Sequence, residues 1–170
     1  DTRRALAALE LAYAQGFVTR SNEIISLVSL YLDQGIPFKA AEILEKEISS
    51  GRVDTNLNNM KMLSSAWLQS RERERALVPL QKAAQLDPSG ESFFLLAQVY
   101  VEAEQWKRAH ESAQRALQKS DLKRPGQVHL LNGIALLSMK QPRNARKAFE
   151  RAQGFVDEKQ AARQWINHMK

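Results

Sequence analysis

Gly90-Glu-Ser-Phe93-Phe-Leu-Leu96-Ala97-Gln-Val-Tyr100 begins the stretch that decides the fold, and Trp106, Ala109, Ala113 and Ala116-Leu117 complete it before Lys123. Counted from Gly90, a large residue stands at place four (Phe93) and Leu-Ala at seven and eight (Leu96, Ala97). An aromatic follows at eleven (Tyr100), with small residues at twenty (Ala109) and twenty-seven (Ala116). Apolar residues spaced three and four apart line one face of a helix, so the stretch reads as a helix, a tight turn and a second helix. Ala97, Ala109 and Ala116 lack bulk and let two antiparallel helices approach, while Phe93, Leu96, Tyr100 and Trp106 fill the remaining volume. One such hairpin cannot bury its apolar faces alone, so copies must stack.

Copies are present. The residue at place eight recurs as Val28, Ser64, Ala97 and Gly133, spaced by 36, 33 and 36 residues. The repeats are therefore 21–54, 57–89, 90–123 and 126–154. Residues 1–20, with Ala5, Leu9 and Ala12 in helical spacing and Gly16 as the stop, read as the second helix of a truncated repeat, so the chain is expected to be a fragment of a longer protein. Ser21 or Asn22 is expected to cap the next helix, Gly35 to close it and Pro37 to open its partner. Three departures stand out. Glu47 replaces the usual Ala at place twenty-seven. Pro79 lies inside a second helix, where a kink or a late start is expected. Asn132 occupies place seven and requires a polar partner if buried. The last helix, 157–169, breaks the repeat and has one apolar stripe (Ala161, Ala162, Trp165, Ile166, Met169), as the end of a solenoid requires. Trp165 is expected to dock on the fourth repeat.

The signature places and the period of about 34 residues resemble the tetratricopeptide repeat. That implies an all-α, right-handed α-solenoid of helix hairpins with a C-terminal capping helix, and a single solenoid over 1–170. Longer phrases are similar to one bacterial family. They include Pro37-Phe-Lys-Ala-Ala-Glu-Ile-Leu-Glu-Lys, Ala66-Trp-Leu-Gln, Leu122-Lys-Arg-Pro-Gly-Gln-Val-His-Leu-Leu and Ala161-Ala-Arg-Gln-Trp-Ile. Together they resemble the periplasmic tetratricopeptide component associated with TonB, ExbB and ExbD. The resemblance implies a periplasmic accessory of TonB-dependent transport that works by protein contact, with a TonB-system component as partner.

Composition narrows the remaining classes. The chain has 170 residues, no cysteine and a formal charge of +6. Disulfides and thiolate metal sites are excluded. No apolar run approaches the ~18 residues of a membrane span. His110, His129 and His168 stand in different helices without ligand spacing, and His129 at place four reads as a packing histidine. No nucleophile or phosphate-loop motif is present, so neither an enzyme nor a cofactor site is expected. The basic clusters Arg71 to Arg75, Lys107-Arg108, Lys123-Arg124 and Arg143 to Arg151 lack interleaved aromatics, and nucleic acid is not expected as a partner.

The concave groove lined by first helices is the expected site. Counting from the repeat starts assigns to it Asn22, Ile25 and Ser29, then Asn58, Lys61 and Ser65, then Glu91, Phe94, Gln98 and Val101. Their mixture of polar and apolar residues suits a bound protein or peptide segment. Leu130, Ile134 and Leu137 are left out because the capping helix is expected to cover them. The alternative is a self-associating scaffold, a homo-oligomer pairing through its open N-terminal face or the cap, with pairing of the Leu6, Leu9 and Leu11 faces expected as an artefact of a fragment. A basic surface for nucleic acid or anionic lipid ranks third.

Overall fold

The computed structural model describes residues 2–169, which form ten α-helices and no strand. They fall into two compact units, residues 1–86 and 87–170. The first holds α1 (Thr2–Ala14), α2 (Ser21–Asp33), α3 (Pro37–Ser49), α4 (Leu57–Gln69) and α5 (Arg73–Leu86). The second holds α6 (Glu91–Glu102), α7 (Trp106–Leu117), α8 (Pro125–Ser138), α9 (Pro142–Ala152) and α10 (Lys159–His168).

The hairpins α2/α3, α4/α5, α6/α7 and α8/α9 share one turn. In each, three residues connect the helices, and the middle one is left-handed: Gly35 (φ 70°), Arg71 (63°), Glu104 (56°) and Lys140 (59°). The residue after it donates its N–H back to the carbonyl at place eleven, at 2.8–2.9 Å: Ile36 to Tyr31, Glu72 to Trp67, Gln105 to Tyr100 and Gln141 to Leu136. This is the Schellman closure, which satisfies carbonyls that a helix end otherwise leaves open.

The expected small residues sit at the helix crossings. Val28, Ala97, Ala109, Ala116, Ala145 and Ala152 are at most 1% exposed. At Gly133 the reason for smallness is explicit, because a β-carbon there would meet the Phe149 ring at 2.4 Å. Trp165 of α10 stacks on that ring, with centroids 5.6 Å apart and planes 6° from parallel. Around it Ile134, Leu137 and Met169 pack on the same cluster.

Four local expectations change. The cap of α2 is Arg20, whose N–H bonds the Glu23 carboxylate at 3.3 Å, while Ser21 is already helical. Helix α5 neither starts late nor breaks at Pro79; it runs from Arg73, and Pro79 is buried within it. That burial offsets part of the lost hydrogen bond. The Arg71 to Arg75 stretch, whose alternating charges read as a solvated helix–turn face, is more than that at Arg75, whose guanidinium lies 3.5 Å from the Trp67 ring centre and pairs with Glu45. Of the N-terminal leucines expected to be available for pairing, Leu6 is buried and Leu9 half-buried, and only Leu11 is well exposed.

The departures at Glu47 and Asn132 have partners. Glu47 is fully buried and accepts hydrogen bonds from Tyr13 Oη (2.5 Å) and Arg52 Nη2 (2.8 Å), with Arg52 Nε 2.6 Å from its second oxygen. Asn132 is buried, and its Oδ1 lies 2.6 Å from His110 Nδ1.

Candidate functional site

The site in the second unit is built from the start of α6. Asp87 is buried and accepts four hydrogen bonds, from the N–H and hydroxyl of Ser89 and of Ser92, at 2.6–3.1 Å. It thereby satisfies one N-terminal backbone donor of α6, the Ser92 N–H. Gly90 follows at φ 81°, tight against the Ala116 carbonyl. Glu91 then reaches the loop ahead of α8. Its Oε1 accepts from the Lys123 N–H at 2.8 Å, and its Oε2 pairs with Arg124 at 3.3 Å. The Arg124 guanidinium lies 4.7 Å from the Phe94 ring centre. One carboxylate therefore clamps the loop onto α6 and seats a cation over an aromatic face.

Past the clamp, Pro125 starts α8. Gly126 allows a close approach: a β-carbon there would meet Glu158 Oε2 at 2.3 Å and Phe155 Cβ at 2.7 Å. A cavity of about 330 Å³ lies between α6, α8 and α10. Phe94, Leu130, Leu131 and Ala161 supply its apolar lining, Gln98 and Gln127 two amides, and Asp157 and Glu158 two carboxylates.

The ten groove residues divide between the units, six in the first and four in the second. On α6, Phe94 and Gln98 line the cavity, whereas Glu91 is engaged in the clamp and Val101 lies half-buried beyond it. Phe94 is only 1% exposed, so it forms the floor and is not an open contact, because Arg124 and its neighbours cover the ring. On the first unit, Asn22, Asn58 and Ser65 are exposed, and Ile25, Ser29 and Lys61 are half-buried. Ile25 packs on the unit's own core. Leu130, Ile134 and Leu137 pack in one cluster with the cap, as expected, and the half-buried Leu130 also lines the cavity.

Sequence reasoning missed a second feature. A cavity of about 430 Å³ in the first unit is lined by Glu10, Tyr13, Tyr31, Lys39, Glu42 and Lys46, among others. Burial, then hydrogen bonding to Glu47 and that residue's charge, push the Tyr13 hydroxyl up to about 12. Burial, then Glu10, push the Tyr31 hydroxyl up as well. The available signal was Glu47, an acid where the repeat wants Ala.

His129 packs against Phe155 at 6.1 Å between ring centres, and its Nδ1 is buried without a hydrogen-bond partner among the described residues. Burial, then the charge of Arg151, lowers its affinity for a proton. Among the described residues no three metal-ligating side chains cluster, and no helix is long and apolar enough to cross a membrane.

Helix hairpins with small residues at the crossings and a shared Schellman turn define an α-solenoid of the tetratricopeptide kind. Solved structures of that fold are similar. A crystal structure of MamA superposes with a TM-score of 0.71 at 24% identity, over 95% of this chain and 91% of the other. YrrB, described as a TPR protein with an unusual peptide-binding site, gives 0.76 at 16% identity, over 98% and 84%. MamA 41-end from Desulfovibrio magneticus RS-1 gives 0.68 at 16%, over 90% and 84%. At these identities the likeness is one of fold. No family profile matches the chain, and no curated protein does.

Proposed function

We propose that the chain is a non-enzymatic protein-interaction module that holds a partner segment in the cavity between α6, α8 and α10. The carrying observation is the lining of that cavity: an apolar floor for one side chain, two amides for a segment's backbone, and Asp157 and Glu158 for a basic neighbour. The peptide-binding site ascribed to YrrB supports a segment-binding role for this kind of fold. The setting we propose is the periplasm, as an accessory of TonB-dependent transport. Its support is the set of sequence phrases around Pro37, Ala66, Leu122 and Ala161.

Calorimetric titration with the soluble part of a TonB-like protein tests both layers, run beside a library of short apolar-basic peptides. Gln98→Trp fills the cavity and is expected to weaken binding by about tenfold or more with helix content unchanged. Binding indifferent to both Gln98→Trp and Leu131→Lys removes the cavity. Peptide binding blocked by Gln98→Trp, with no response to the TonB-like protein, keeps the cavity and removes the setting.

Self-association is the second reading, favoured by the exposure of Leu11 (60%) and Phe17 (74%) on the first unit. A monomeric sedimentation profile across a wide concentration range eliminates it.

A further inference from the structure

A second hollow in the second unit, of about 230 Å³, lies between α7, α8 and α9 and shares no lining residue with the cavity above. Asn144, Lys147 and Arg151 fall at helical spacing on one face of α9, and all three line it. His110 of α7 and the buried Asn132 of α8 form its inner edge, and Gln141 of the α8/α9 turn lines it as well.

The polar groups are held by local bonds. Asn132 Oδ1 faces His110 Nδ1 at 2.6 Å; because a carbonyl oxygen only accepts, Nδ1 carries the proton and fixes the ring. Asn144 donates to Gln141 Oε1 at 3.0 Å, which leaves the Gln141 NH₂ as a donor. Lys147 and Arg151 are exposed, and neither forms an ion pair among the described residues. No carboxylate lines the hollow. Of the acids on the flanking helices, Glu150 is taken by Arg146 at 3.3 Å, and Glu111 is exposed on α7. Two uncompensated cations beside fixed amide donors form a concentrated positive site, and a guanidinium fork matches the oxygens of a phosphate group.

We infer that this hollow binds a small phosphate-type oxyanion, held by Lys147 and Arg151 with the amides of Gln141 and Asn144, against the His110 edge. The shared chemistry admits free phosphate or a phosphomonoester.

The test is NMR on the whole chain, titrated with inorganic phosphate, with O-phosphoserine, and with chloride at matched ionic strength. Expected is a saturable shift of the His110 imidazole and Arg151 side-chain resonances that chloride does not produce. Lys147→Gln with Arg151→Gln should raise the phosphate Kd by about tenfold or more. Arg143→Gln with Arg146→Gln removes the same formal charge from α9 and should leave Kd within about twofold. All four positions are exposed, and circular dichroism checks that the variants stay folded. Response to phosphate alone identifies the free anion, and response to phosphoserine identifies the ester. A linear, non-saturating shift, an equal shift with chloride, or equal weakening by the two double variants overturns the site.

Discussion

Phe149 lies so close to Gly133 that a β-carbon at position 133 would stand 2.4 Å from its Cε1. In an open helix Gly→Ala stabilises by about 1 kcal/mol. Here the sign reverses, because the ring cannot retreat: Trp165 stacks on it, and Phe149 is fully buried. Gly133→Ala should destabilise by about 1–3 kcal/mol, the range for overpacking. Urea denaturation followed by circular dichroism reads it, and a more stable variant would contradict the packing described.

Tyr13 predicts an alkaline effect. Its ordinary value of 10.0 rises to about 12 in the folded chain. The folded state therefore keeps the proton that the unfolded chain gives up, so the contribution is complete below pH 10 and is lost as pH rises toward 12. Tyr31 acts in the same direction. Stability measured in urea should fall more steeply between those pH values in the native sequence than in Tyr13→Phe. Parallel curves would show that neither burial nor Glu47 raises the Tyr13 hydroxyl in the folded chain.

The repeated hairpin turn gives a paired test. Nothing lies within 4 Å of a β-carbon placed on Gly35, so Gly35→Ala meets only the left-handed backbone penalty, about 1 kcal/mol. Glu104 already bears that penalty at φ 56°. Glu104→Gly should raise stability by up to about 0.5 kcal/mol after the entropy of an added glycine is deducted. Thermal melts of the two variants should move in opposite directions.

Asp87 supports the whole start of α6. Replacement by Ala leaves the donors of Ser89 and Ser92 without an acceptor and should cost about 2–3 kcal/mol. Hydrogen exchange should show the Ser92 amide losing protection first. Asp87→Asn retains one acceptor oxygen and should fall between the two.

The period, the hairpins and the crossing residues were legible because they depend on bulk at fixed spacing, and bulk is written in each residue. Leu96, Ala97 and Tyr100 already specify a helix crossing without knowledge of its partner. The site was legible only in part. Gln98 lines the cavity as counted, but Glu91, counted as a contact, is drawn away by Lys123 and Arg124, which lie more than thirty positions later. Leu130 was set aside because local pattern cannot tell how far a capping helix reaches. Of the two readings of Pro79, the late start fails, because the ring is buried inside a helix that begins at Arg73.

The buried Glu47 has one further consequence. Its bond to Tyr13 joins two neighbouring hairpin elements, as His110 to Asn132 does elsewhere. The equivalent places in the other repeats are Ala83, Ala116 and Ala152, which offer Tyr13 no acceptor. A chain with its repeats shuffled would keep every apolar crossing and still strand a carboxylate or an amide in the core. The repeats are thus not interchangeable: bulk at fixed spacing makes them alike, and two buried polar pairs tell them apart.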